Sequence, residues 1–303
     1  MPRLFDAYII VDWSASSKPK TGKDSIWVGI RARDARLKFQ FTSVNPKTRL
    51  DARTFIRDMA KKLIARGDKV LIGFDFALGY PAGTAQAAGL TIDGQAPWAA
   101  MHAHLSSKVK EKDDNSNARF ALAAGLNYAL TKGPHPFWGV PKTQAVSTLA
   151  MKKGDFASAR SLSEHREAER WVKANFKATP KSVWQLMGAG SVGSQALLGI
   201  PSVQYLKREI EGAQIWPFET GFRALDEEAL DGVTCVLSEV YPSTLKVTPK
   251  SGETLDQAQV RTLAEHLETL DSAGKLGARF GPPNSLDTGK IDQIEREEGW
   301  ILA

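Results

Sequence analysis

The chain has 303 residues, of which 42% are hydrophobic and 24% charged, enough apolar content for one large core or two modest ones and too much for wholesale disorder or a fibrous class. A formal net charge of +6 favours encounters with polyanions without requiring them. The single cysteine, Cys235, sits inside the apolar run Val233-Thr-Cys-Val-Leu237, which excludes an intramolecular disulfide and a cysteine metal cluster. The N-terminal Met1-Pro-Arg-Leu-Phe-Asp6 leads straight into a strand-like run, with no signal-peptide pattern and no apolar stretch of membrane-spanning length, so the cytoplasm is the expected compartment and no membrane is expected as a partner.

Ala7-Tyr-Ile-Ile-Val-Asp12 is short, apolar and β-branched, then breaks into Trp-Ser-Ala-Ser-Ser-Lys-Pro19, the pattern of a buried central strand ending in a loop. Strand signals follow at Ser25-Ile-Trp-Val-Gly-Ile30 and Leu37-Lys-Phe-Gln-Phe-Thr-Ser43, joined by the polar turn from Arg33 to Arg36, as in an antiparallel meander. An amphipathic helix is expected from about Asp51 to Arg66, with Phe55, Met59, Leu63 and Ile64 at helical spacing. Lys69-Val-Leu-Ile-Gly-Phe-Asp75 reads as the next strand and again stops at an acid. From Pro81 to about Asp231 the pattern loosens into helices and long loops, read as an insertion over residues 82–231 between core segments 1–81 and 232–303. Val233-Thr-Cys-Val-Leu-Ser-Glu239 restores the buried-strand pattern, and a helix from about Leu255 to Leu270 places Val260, Leu263, Leu267 and Leu270 on one face. A meander followed by a crossover helix opens a ribonuclease H-like sheet, whereas a doubly wound fold alternates strand and helix from the start. The expected fold is therefore α/β, a mixed five-stranded ribonuclease H-like sheet with a large, mainly helical insertion capping the site.

Three apolar strands end in Asp12, Asp75 and Glu239. An unpaired carboxylate at the end of a buried strand is expensive and calls for a cation, a hydrogen-bonding loop or exposure at the rim. Two Mg²⁺ or Mn²⁺ ions about 3.5–4 Å apart activate water and stabilise the leaving oxygen of a phosphodiester, and oxygen ligands suit both metals. Asp12, Asp75 and Glu239 are the expected metal ligands, with Asp256, at the start of the last core helix, completing the catalytic set. Any one of Asp12, Asp75 and Glu239 alone reads better as a loop or helix cap, and Asp256 equally well as a first-turn acid; the coincidence of three strand ends is what points to a metal. Asp271, Asp287 and Asp292 are alternatives for the fourth position.

Tyr8-Ile-Ile-Val-Asp-Trp-Ser-Ala15, Ile72-Gly-Phe-Asp-Phe-Ala-Leu-Gly-Tyr-Pro81 and Ser238-Glu-Val-Tyr-Pro242 resemble segments of a family described as predicted ribonuclease H-like nucleases, domain of unknown function 429. The resemblance covers the core strands and leaves most of the insertion unmatched. It implies a nuclease-type fold and a nucleic-acid or nucleotide-like phosphodiester as partner. Trp13 departs from the glycine that many first strands of that superfamily carry, and an acid-plus-alanine motif in the final helix is missing.

For substrate phosphate the candidates are Ser14, Lys18 and Lys20 in the loop after the first strand, together with Gly188, Gly190 and Ser191. The latter belong to Val183-Trp-Gln-Leu-Met-Gly-Ala-Gly-Ser-Val-Gly193, which matches G-x-G-x-x-G, but Gly199-Ile-Pro201 is expected to break a following helix within two turns. The loop is read as a tight turn or an anion-binding nest rather than a dinucleotide site. The five histidines form no ligand pattern, and the G-x-S-x-G elbow of a serine hydrolase is absent. Beside a phosphodiester hydrolase stand two other readings: a nucleotide-binding protein that has lost catalysis, and an actin-like phosphotransferase, to whose first phosphate loop Asp12-Trp-Ser-Ala-Ser-Ser17 is loosely similar but for which no second strand set is visible.

Overall fold

The computed structural model describes residues 3–154 and 162–303. β1 (Ala7–Asp12), β2 (Trp27–Arg33) and β3 (Phe39–Val44) form an antiparallel meander. α1 (Arg49–Ala65), whose first turn is capped by the Thr48 hydroxyl accepting from Asp51 N at 3.1 Å, crosses to β4 (Val70–Phe74), parallel to β1. After α2 (Thr84–Ala87), α3 (Pro97–Lys108), α4 (Arg119–Thr131), α5 (Glu167–Asn175) and α6 (Gly193–Glu209) the chain re-enters the sheet as β5 (Ala213–Ile215) and β6 (Cys235–Val240). It closes with α7 (Leu255–Ser272), α8 (Leu276–Arg279), α9 (Thr288–Gln293), a π-turn at Ile294–Glu298 and β7 (Ile301–Leu302).

The result is an α/β protein with a mixed sheet of seven strands, in the order β3-β2-β1-β4-β6-β5. β7 shares the outer edge of β6 with β5, pairing at Glu239–Val240 where β5 pairs at Cys235–Leu237. Five strands are expected from the sequence. The two additions are three and two residues long, too short to show a period-two pattern. β5 also draws the end of the segment between residues 82 and 231 into the main sheet rather than leaving it as a separate cap.

β1 and β4 are buried on both faces, which is why they read as continuous apolar runs. Tyr8 and Ile10 join Val260, Leu263 and Leu267 of α7 on one face, while Ile9 and Val11 join Ile56 of α1 and Leu197 of α6 on the other. α6 does not break at Pro201 but runs through it for 17 residues. A proline inside a helix costs about 3 kcal/mol, and burial of Leu197, Leu198, Ile200, Val203 and Leu206, at about 1.5–3 kcal/mol for each side chain, outweighs it. Gly199 lets the helix lie directly on Phe76, since a Cβ there would stand 2.3 Å from the ring. No helix among the described residues is long and apolar enough to cross a membrane.

Candidate active site at the strand ends

Asp12 is the last residue of β1, and Asp75 follows Phe74, which lies opposite Val11 in the parallel register. The two acids therefore occupy adjacent positions on neighbouring strands. Asp75 N donates to Val11 O at 3.1 Å and Trp13 N donates to Asp75 Oδ1 at 2.7 Å, so the backbone fixes both side chains at the rim. The two carboxyl groups lie close enough to perturb each other's titration. Burial, and then the charges of Asp75 and Asp256, hold the Asp12 carboxyl well above the usual carboxylate range. Asp75 is also pushed up by burial, against the lowering effect of the Trp13 N–H. Such a pair retains one proton between two carboxylates.

Asp256 stands in the first turn of α7, which the Thr254 hydroxyl caps by accepting from Gln257 N at 3.1 Å. α7 covers the face to which Tyr8 and Ile10 point, and alternation along β1 puts Asp12 on that face too. The Asp24 N–H donates to Asp256 Oδ2 at 2.7 Å. Burial and the Asp24 charge raise the Asp256 pKa, while Lys23 and Lys20 act to lower it.

Glu239 takes a different course from the expected one. In the β4–β6 register it lies opposite Phe74, one residue short of Asp75, so alternation turns it toward the other face. Arg166 Nη2 and Nη1 donate to its Oε1 and Oε2 at 2.6 and 2.8 Å, and Leu78 N donates to Oε2 at 3.1 Å. Arg166 is wholly buried and also donates to Glu169 Oε1 from Nε at 2.8 Å and to the Glu298 carbonyl at 2.9 Å. Burial pushes the Glu239 carboxyl up, and the guanidinium pulls it back down. Arg166 was invisible to pattern reading: it looks like an ordinary polar residue before a helix, and its partner is 73 residues away. Among the described residues no group of three or more His, Cys, Asp and Glu side chains is arranged to hold a metal ion.

The loop after β1 is tied down from outside. Arg49 Nη1 donates to the carbonyls of Ser14 and Ser16 at 2.7 and 2.8 Å, Arg119 Nη1 donates to Ser17 Oγ at 2.7 Å, and the Gln195 side chain donates to Trp13 O. Lys18 and Lys20 are exposed, with Lys20 3.8 Å from Asp24. Gly190 and Ser191 line a cleft of about 240 Å³ that also takes in Asp75, Lys181 and Tyr241; Gly188 does not line it. Gly188 and Gly190 have φ of +116° and +69°, which explains glycine at both. Gln185 makes only an isolated bridge to Trp138, so no strand precedes the glycine turn as a dinucleotide fold requires. Lys181 carries no motif and was not singled out from the sequence.

Of the alternative acids, Asp292 is exposed on the surface and the other two have structural partners. Asp271 accepts from Leu4 N, Phe5 N and the Tyr8 hydroxyl at 2.9, 2.9 and 2.6 Å, and Asp287 caps α9. His102 is buried beneath the same rim, its Nε2 2.6 Å from Leu78 O, and burial lowers its pKa to about 4. Compared with protein-family models, curated proteins and solved structures, the chain matches none of them.

Proposed function

We propose that this chain is a metal-dependent phosphodiester hydrolase of ribonuclease H type, acting on nucleic acid or a nucleotide-like phosphodiester. The strand order, with its antiparallel meander beside parallel β4 and β6, supports the fold part of this reading, and the resemblance of its strand-end segments to the domain of unknown function 429 nucleases stands as part of the proposal. The observation that carries the chemistry is the Asp12–Asp75 pair, two uncompensated carboxyl groups held together at a partly open rim.

Mg²⁺ keeps several waters and is bound by one or two carboxylates plus substrate phosphate, so two aspartates fit it and Mn²⁺ without a third protein ligand. Asp12 and Asp75 would hold the cation, with Asp256 adding charge from α7. A bound cation supplies Lewis acidity and a water of lowered pKa. Trp13 N orients Asp75, and Gly190, Ser191 and Lys181 offer donors to phosphate across the cleft. Glu239, held by Arg166, is assigned to the framework rather than to the metal.

The test is a paired one. Wild type and Asp12→Asn are melted with and without millimolar Mn²⁺ and assayed on a chromogenic phosphodiester. Wild type is expected to gain thermal stability and activity with Mn²⁺, and the variant to keep its fold and lose both responses. A wild-type melt indifferent to Mg²⁺ and Mn²⁺, with no hydrolysis of DNA, RNA or the diester, overturns the reading. The engagement of Glu239 by Arg166 favours one competitor, a nucleotide-binding protein without turnover, which would bind mononucleotide under the same conditions and cleave nothing.

A further inference from the structure

We infer that the substrate of this site is a single unpaired nucleotide-sized unit, at a strand end or in a free dinucleotide, and not the interior of a duplex. The inference rests on the hydrolase reading and narrows it to a substrate class. Its basis is the cleft beside Asp75, which is small, walled on two sides and closed below.

The first wall is the segment from Pro180 to Gln195. It is pinned at several points: Ser194 Oγ donates to Leu186 O at 2.7 Å, Arg119 Nε donates to Ser194 Oγ at 3.0 Å, and Gln195 reaches Trp13 O. Behind it, α6 rests on Phe76 with no room for even a methyl group at Gly199. The second wall is the turn from Tyr241 to Ser243, backed by Ile301 of β7. The buried Arg166–Glu239 pair closes the floor. Both walls are loop segments anchored to buried residues, Ser194 and Leu186 behind the first and Pro242 within the second, so the anchors set the gap between them.

The cleft, open to solvent on one side, has a volume of about 240 Å³, just below the ~300–1,000 Å³ of pockets that bury drug-sized ligands, a size for one phosphate with its sugar and part of a base. A duplex, whose major groove alone is about 12 Å wide, presents its phosphates on a surface far too broad to enter such a slot. Tyr241 is the one aromatic ring among the described residues of the lining, whereas proteins that track a continuous single strand use aromatic rings for successive bases. One ring stacks one base. The exposed Lys181 and the Ser191 hydroxyl in the glycine turn supply phosphate-binding donors to the same cleft.

The test uses the full chain in Mn²⁺ on four substrates: a dinucleotide, a linear single strand, a circular single strand of the same sequence and a blunt duplex. The dinucleotide and the linear strand should be cut, the latter with release of mononucleotides, and the circle and duplex should be slower by about tenfold or more, as expected when a pocket's fit decides specificity. Lys181→Ala should raise KM for the dinucleotide severalfold with kcat unchanged. Equal rates on circle or duplex, or oligonucleotides released from internal cuts, overturn the inference while leaving the hydrolase reading intact. If nothing is cut, the hydrolase reading fails, and tryptophan-fluorescence titration decides the rest: tighter binding of dinucleotide than of duplex sustains the inference, and the reverse overturns it.

Discussion

Neighbouring strand ends of this sheet carry acids in two contrasting settings. At Asp12 and Asp75 two carboxyl groups meet with no cation among the described residues placed against them, and each is pushed up in pKa. At Glu239 a buried guanidinium takes both oxygens, and Glu169 and the Glu298 carbonyl complete its donor set. The second setting is self-compensated and serves packing. The first leaves a charge deficit that an external cation can relieve, and this difference assigns the two kinds of acid their roles.

The sharpest way to break the compensated side is Arg166→Met. Removing the guanidinium leaves Glu169 and Glu239 buried with only backbone N–H partners and no cation, and a loss of about 3–5 kcal/mol is expected in denaturant unfolding. A loss under 1 kcal/mol, roughly the value of an exposed ion pair, would show that the network is not the closed unit described. Glu239→Gln should cost less, about 1–3 kcal/mol, because the amide still accepts a hydrogen bond. That variant should also retain its Mn²⁺-dependent melting shift. Loss of the shift would return Glu239 to the metal shell.

On the uncompensated side, Asp12→Asn should stabilise the metal-free protein by about 1–2 kcal/mol at neutral pH, by removing the repulsion within the pair. The direction follows from the raised pKa of Asp12. A carboxyl that binds its proton more tightly when folded contributes stability in full below the unfolded value of about 3.9, and that contribution is lost as pH rises through the folded value. Melting of the metal-free wild type should therefore decline as pH rises above 4 more steeply than melting of Asp12→Asn. Parallel pH profiles would mean that the pair does not share a proton. The smallest effect is expected at the rim's basic loop. Lys20→Ala removes a charge that lowers the Asp256 pKa, so the Asp256 carboxyl should titrate higher when followed by NMR, and an unchanged titration would separate the loop from the site electrostatically.

The acids at the site were legible to different degrees. Asp12 and Asp75 each end a run of buried apolar residues, and that local signal placed both at the rim of neighbouring strands. Asp256 was legible as a first-turn acid on a helix whose apolar face marks it for the sheet. Glu239 carries the same local signal as the aspartates and yet is turned to the opposite face of the sheet, where Arg166 holds it at the floor of the cleft beside Asp75, because facing depends on which residue of β4 it pairs with. The helix break expected at Pro201 failed for a related reason: a local penalty was outweighed by burial that the local sequence does not display.

By itself the sequence determined the α/β class, the meander and its crossover helix, the central strands and the delivery of Asp12 and Asp75 to one edge, since each depends on apolar periodicity within a few residues of chain. The tertiary structure alone decided that Arg166 neutralises Glu239, that Lys181 and Tyr241 line one cleft, and that two very short strands extend the sheet. These features depend on strand register and on contacts between distant segments. A one-residue change in pairing turns a side chain from one face to the other while leaving the local pattern of the chain unchanged.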